Sequence, residues 1–260
     1  MKNFFIIGMI SLATGSVGVA TEIQVTFTNG AVRTLPEIRI DNGYIQMAEG
    51  RFELSKISSV QFNTDPLSAE NCRILFQAGR YGEIVSGLAD VRTSLQAAVG
   101  LPGNSSILLE WLLKASFWQG DYAAVNEMSR VLKSSSASLY TTLGLIVQGR
   151  LEDAEIILKA IANRTDVSPV MLEYARARLA FSREQYKEAL QYVAQADLLH
   201  RRDAEWEPAT LFLAGLIYVK TGRTEAASYV AEELTLGWPD SIWSRRAAEL
   251  KESKTEGKTS

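Results

Sequence analysis

The chain has 260 residues, a formal net charge of −3, one cysteine and one histidine. The near balance of 27 basic and 30 acidic residues gives no excess of positive charge for nucleic acid, so no nucleic-acid partner is expected. A single cysteine cannot form an internal disulfide, and a single histidine excludes two-histidine metal sites.

The first twenty residues have the layout of a secretory signal peptide. Lys2 precedes an apolar run over Phe4–Ile10, and small residues follow up to Ala20. The apolar run is shorter than the ~20 residues needed to span a bilayer, so cleavage after Ala20 is favoured over a membrane anchor. We therefore expect an exported bacterial protein, periplasmic or outer-membrane-associated, with no transmembrane segment in the mature chain.

Residues 21–64 are predicted to form a small antiparallel β module, either a meander or an SH3-like or Sm-like barrel. Apolar and polar residues alternate over Ile23–Phe27, and Asn29-Gly30 is a typical hairpin turn. Ser55–Ser59 looks helical. Further strands are predicted at Glu37–Ile40, Tyr44–Met47, Arg51–Leu54 and Val60–Phe62. Three roles fit such a module: it binds a peptide, it self-associates, or it only caps the helices that follow.

Helical periodicity occupies residues 65–250, with Asp65 predicted as the first N-cap and Pro66 as the first helical residue. The clearest unit predicts one helix at Leu172–Phe181 and a second at Tyr186–Ala196. Small residues such as Ala189 stand where the two helix backbones approach. One such pair cannot bury its apolar faces alone, so further copies are expected.

A related unit at Leu211–Pro239 carries Leu-x-x-Ala-Gly-x-x-Tyr, then Gly222, Ala227-x-x-x-Ala231 and Pro239. This pattern resembles the tetratricopeptide repeat, W-x2-L-G-x2-Y…A-x3-F…P. More divergent units are Ser68–Val91, Leu109–Leu132 and Ser138–Ile161, with an insertion at Leu101–Asn104. The resemblance implies a mainly α protein, a tetratricopeptide-like α-solenoid of about five helix pairs, that acts as an adaptor or assembly factor.

The chain is predicted to end with one further helix and a disordered tail. Ile242–Leu250 places Trp243, Ala247 and Leu250 on one side, as expected of a helix that shields the last repeat. Residues 251–260 contain no apolar side chain and are predicted to be disordered.

No combination of residues indicates catalysis. The chain has no Walker A loop, no GxGxxG sequence and no CxxC pair. His200 is expected at the C-terminal end of a helix beside Arg201, where a cation complements the helix dipole. Cys72 is expected to be a buried, unreactive side chain. We predict a non-enzymatic protein without catalytic residues, cofactor or metal.

Binding is therefore the expected function. In stacked helix pairs the first helix of each pair lines a concave groove, which suits a protein or peptide partner. Trp118 and Arg178 are the strongest candidates for exposed contacts, whereas Phe181 is favoured as a core residue. The predicted contact residues are Arg73, Glu110, Lys114, Trp118, Arg178 and Phe181. The alternative is a self-associating envelope component that forms homo-oligomers through the β module, and an enzyme of envelope polymers ranks last.

Overall fold

The computed structural model describes residues 22–47, 50–199 and 205–252. These residues form a mainly helical structure with a small antiparallel β module at its N-terminal end, as the sequence predicts. The predicted signal peptide, His200 and the last eight residues of the predicted tail lie outside the described residues.

The β module consists of two three-stranded antiparallel sheets. The first has the order β2-β1-β6 and the second β3-β4-β5. The strands are β1 (Glu22–Phe27), β2 (Val32–Leu35), β3 (Arg39–Asp41), β4 (Tyr44–Met47), β5 (Gly50–Glu53) and β6 (Ile57–Asn63). The predicted Asn29-Gly30 turn joins β1 to β2, and the Asn29 side chain accepts a hydrogen bond from the Ala31 amide.

The predicted helix at Ser55–Ser59 is wrong, because Leu54–Lys56 forms only one 3₁₀ turn and strand β6 begins at Ile57. The pairing of β1 with β6 shifts register between Thr26 and Phe27, which marks a β-bulge. The bulge lets both Ile57 and Val60 point into the core although three positions separate them. Apolar residues three positions apart are also typical of a helix, which explains the wrong prediction.

The helices follow the predicted pairs closely. Their bounds are α1 (Ala69–Gln77), α2 (Tyr81–Leu88), α3 (Arg92–Ala97), α4 (Ser105–Gln119), α5 (Tyr122–Leu132), α6 (Ser135–Val147), α7 (Leu151–Ile161), α8 (Pro169–Ser182), α9 (Tyr186–Leu199), α10 (Glu207–Lys220), α11 (Thr224–Gly237), α12 (Ile242–Arg246) and α13 (Glu249–Glu252). The predicted N-cap at Asp65 is wrong. Ser68 caps α1, and its hydroxyl accepts a hydrogen bond from the Asn71 amide at 3.2 Å.

The pairs pack in sequence order, and α3 is an unpredicted short helix between the first two. Within each pair the two helices contact one another, α1, α4, α6 and α8 also contact the first helix of the next pair, and α10 contacts α12 and α13. Ala189 is fully buried, as predicted for close backbone approach, and the small residues Ala177 and Ala227 are fully buried as well. Gly215 of α10 makes room for a side chain of α13, since a Cβ atom there would lie 2.5 Å from Leu250 Cδ1.

The predicted insertion at Leu101–Asn104 fastens the β module to the helices. The Val60 amide donates to the Pro102 carbonyl at 2.8 Å, and Val60 pairs with Gly103 as an isolated parallel bridge. The Asn104 side chain accepts from the Phe62 amide at 2.8 Å and donates to the Phe62 carbonyl at 2.9 Å. The outer edge of β6 is therefore covered by the chain itself.

The predicted C-terminal helix is divided into α12 and α13. Trp243, Ala247 and Leu250 are buried on one side as predicted. In addition, the Arg245 guanidinium donates a hydrogen bond of 3.0 Å to the Ala78 carbonyl, at the end of α1. The two ends of the helical part thus meet, because α12 contacts the first helix pair as well as α10 and α11.

Candidate functional site

The first helices of the pairs share one face, which we call the inner face. It is the side of α4, α6, α8 and α10 that carries Trp118, Tyr140, Tyr174 and Phe212. Trp206, which precedes α10, and Trp243 of α12 pack against these side chains. The inner face contains most of the predicted contact residues.

Aromatic rings fill the centre of the inner face in one continuous cluster. Each ring lies 5.0–6.1 Å, between centroids, from at least one other ring of the cluster. Its members are Phe76, Tyr81, Trp111, Phe117, Trp118, Tyr122, Tyr140, Tyr174, Trp206, Phe212 and Trp243. Three of its phenylalanines are buried core residues, since the exposed fractions of Phe76, Phe117 and Phe212 are 8%, 7% and 2%.

A polar network is embedded beside this cluster. Lys114 Nζ lies 2.8 Å from Glu205 Oε2 and 4.9 Å from the centre of the Trp111 ring. The fully buried Tyr140 hydroxyl donates to Glu205 Oε1, and burial holds the pKa of Tyr140 well above its usual value. Lys114 is therefore engaged in an internal ion pair, with only 15% of its side chain exposed.

Trp118 is half-buried within the aromatic cluster, although it was one of the candidates for an exposed contact. Its ring stacks on Tyr81 at 6.1 Å and meets Trp243 edge-on at 5.2 Å. The Trp118 Nε1–H is buried and has no hydrogen-bond acceptor among the described residues. An unpaired buried donor is unfavourable, so this arrangement carries a local energetic cost.

Arg178 differs from the other half-buried arginines of the described residues. Each of those forms an ion pair with a carboxylate: Arg92 with Glu127, Arg176 with Glu173, Arg183 with Glu155 and Arg246 with Glu249. Arg178 forms no ion pair within the described ranges. Its guanidinium carbon lies 5.9 Å from the centre of the Phe181 ring, and its charge acts on the Tyr122 and Tyr174 hydroxyls.

The remaining predicted contact residues, Phe181, Glu110 and Arg73, lie in different environments. Phe181 is half-buried and packs edge-on against Tyr186 at 5.8 Å, so it is partly accessible beside Arg178. Glu110 is half-buried on α4, and its charge acts on Tyr140. Arg73 is exposed, and its hydrogen bonds remain within α1, to Glu70 and Gln77. The structure thus brings Arg178 and Phe181 together and leaves Arg73 apart.

Several inner-face residues were absent from the predicted contact residues, among them Tyr174, Glu205, Trp206 and Arg246. Arg246 lies 4.6 Å from the centre of the Phe212 ring and 5.6 Å from that of Trp243. Tyr174 lies within the predicted helix Leu172–Phe181, whose helical period marks it only as one of the apolar residues. Glu205 and Trp206 precede a helix, so no helical period indicates the direction of their side chains.

A separate cleft of about 280 Å³ lies between α7, α8 and α9. Arg176 and Arg183 line it, on the side of α8 opposite Tyr174 and Arg178. Hydrogen bonds from Lys159 and then Arg183 lower the pKa of Glu155, which also lines the cleft, to about 2. Lys159 and Arg183 are thus already paired with Glu155, and Arg176 is paired with Glu173.

Cys72 is fully buried, and this burial raises the pKa of its thiol to about 11, which suppresses its reactivity as a thiolate. In residues 22–47, 50–199 and 205–252, no three side chains of His, Cys, Asp or Glu are grouped to hold a metal ion. Over the same ranges, none of the helices combines the length and apolar character needed to cross a membrane. Comparisons with protein-family models, curated proteins and solved structures find no match.

Proposed function

We propose that this protein is a non-catalytic scaffold of the bacterial cell envelope that binds an acidic segment of a protein partner on its inner face. In this proposal the helical part is a tetratricopeptide-like solenoid of five helix pairs, and the protein is exported. The observation that carries the proposal is Arg178, a half-buried cation without an anionic partner among the described residues.

The position of Arg178 indicates a ligand because burying an unpaired charge is costly. A guanidinium that loses part of its hydration is stabilised when a carboxylate accepts its hydrogen bonds. The other half-buried arginines in the described ranges have such a carboxylate within the chain. A carboxylate of a bound partner supplies the missing interaction at Arg178.

Phe181 supports a partner of mixed acidic and apolar character. Its half-buried ring lies beside Arg178, so a partner meets an apolar surface directly next to a cation. Arginine and aromatic side chains contribute most strongly to binding hot spots when the contact excludes water. We expect an acidic residue of the partner at Arg178 and an adjacent apolar residue at Phe181.

A charge-reversal pull-down from the envelope fraction tests the proposal. Arg178→Glu is compared with Arg130→Glu, which changes an exposed arginine on the second helix of its pair and breaks no ion pair among the described residues. We expect a partner that is retained by wild type and Arg130→Glu and lost by Arg178→Glu. Retention by both variants contradicts a partner site at Arg178. Fractionation of cells expressing the full chain tests the proposed export.

Self-association through the β module is a second candidate, favoured by the accessible edge of one sheet. Strand β2 is an outer strand of the β2-β1-β6 sheet, and Val32 is 50% exposed. Light scattering over a range of protein concentrations tests this candidate. A mass that rises with concentration in wild type and not in Val32→Lys supports it, and a constant monomer mass rejects it.

A further inference from the structure

The two ends of the helical part contact each other through α12, and this contact bears on access to the inner face. α12 lies on the inner face, where Trp243 contacts Trp118 of α4 and Phe212 of α10. The same segment reaches the first helix pair through the Arg245 hydrogen bond to Ala78. The chain thus covers part of the surface on which a partner is expected.

We propose that Ser241–Arg246 is a reversible clasp, which closes the inner face in the free protein and is displaced when a partner binds. This inference rests on the proposed binding function and adds its regulation. In the displaced state, the position between Trp118 and Phe212 accepts an aromatic or large apolar side chain of the partner in place of Trp243.

The polar contact between the ends is small enough to open. Arg245 is exposed to water and donates one hydrogen bond of 3.0 Å to the Ala78 carbonyl. The acceptor is an uncharged backbone oxygen, so this contact is not an ion pair. Gly79 makes room for this contact, since a Cβ atom at that position would lie 2.4 Å from an Arg245 guanidinium nitrogen. Water can replace the hydrogen bond at both groups when the segment leaves.

The helix itself is stable only while it is packed. α12 has five residues, far fewer than the ~12–15 that an isolated helix needs in water. Its stability comes from Trp243, which is buried, and from Arg246, which lies over the Phe212 ring. Separation from the inner face therefore releases the segment as flexible chain.

The closed state also leaves a donor unsatisfied. Trp118 Nε1–H is buried without an acceptor while Trp243 lies against its ring. In the proposed open state Trp118 loses one of the three rings packed against it, and its Nε1–H then gains an acceptor from water or from the partner. Leu250 remains anchored at Gly215 on α10, so the clasp opens without loss of the cover over the last helix pair.

Distance measurements between two spin labels test the clasp without a partner. Nitroxides are attached at Gln77→Cys, which is exposed on α1, and at Ser244→Cys, which lies within the clasp itself, in a full chain that carries Cys72→Ser. The distance distribution from pulsed electron resonance is compared for wild type, Trp243→Ala, Arg245→Ala and the control Arg223→Ala. We expect a longer-distance population that grows several-fold in Trp243→Ala and Arg245→Ala and stays unchanged in Arg223→Ala.

A distribution unaffected by Trp243→Ala and Arg245→Ala overturns the proposal. Arg245→Ala serves as the safeguard against misfolding, because it changes an exposed side chain and leaves Trp243 in place. The result is independent of the proposed function, since no partner is present. If the clasp opens but Arg178→Glu still retains every partner, the binding site is wrong and the clasp stands.

Discussion

Gly103→Ala is expected to detach the β module from the helices. Gly103 has a φ of +143° and lies against strand β6, where an added Cβ atom would come within 1.8 Å of the Val60 carbonyl oxygen. Because that oxygen belongs to the backbone, no side-chain rotation relieves the clash. The segment must move away from β6, and the hydrogen bonds that flank Gly103 are then lost.

The expected loss follows from three hydrogen bonds. They join the Val60 amide to Pro102, the Phe62 amide to the Asn104 side chain, and that side chain to the Phe62 carbonyl. At about 1 kcal/mol each, their loss lowers the free energy of unfolding by about 3 kcal/mol.

Gly100→Ala is the matched control, because Gly100 also has a positive φ of +91° but no atom within 4 Å of an added Cβ. Urea unfolding of both variants isolates the effect of the contact with Val60. Hydrogen exchange at the Val60 and Phe62 amides should accelerate only in Gly103→Ala. Equal destabilisation by the two substitutions refutes the proposed fastening.

Three further predictions concern stability and reactivity. Gly215→Ala should destabilise the chain by about 1–3 kcal/mol in urea unfolding, because its Cβ would overlap Leu250, whereas Gly237→Ala meets no atom within 4 Å and should not. Hydrogen bonds from Arg164 and then Ser135 lower the pKa of Asp166 from 3.8 to about 2. The difference in urea midpoint between wild type and Asp166→Asn should therefore stay constant above about pH 4 and vanish as the pH falls to about 2. A difference that does not change with pH contradicts stabilisation by the ionised Asp166 carboxylate. Cys72 should react with a thiol reagent only after unfolding, and rapid reaction in buffer contradicts its burial.

The helix pairs were predictable because the spacing of apolar residues within each helix is visible in a short stretch of sequence. Apolar residues at helical spacing locate helices such as α8 and α9, and both extend only a few residues beyond the predicted bounds. Ile57 and Val60 show where this reasoning fails. Their helical spacing results from a bulge in the β1–β6 pairing, and this depends on residues thirty positions earlier in the chain.

The site was predictable only in part. The helical period places Arg178 and Phe181 on one side of α8, and the structure keeps them together. The period alone cannot show that Trp118 is covered, because its cover comes from Trp243, more than a hundred residues away. Likewise, the ion pair of Lys114 with Glu205 joins residues separated by 91 positions.

Site-specific photo-cross-linking in intact cells tests the central claim most directly. A photoreactive phenylalanine analogue replaces Phe181 on the inner face or, as the control, Tyr229, which is 63% exposed on α11. We predict that a protein cross-links at position 181 and not at position 229, that its cross-linked peptide contains acidic residues, and that Arg178→Glu abolishes the product. A cross-link at position 229 alone, or one at position 181 that persists in Arg178→Glu, contradicts binding of an acidic partner on the inner face.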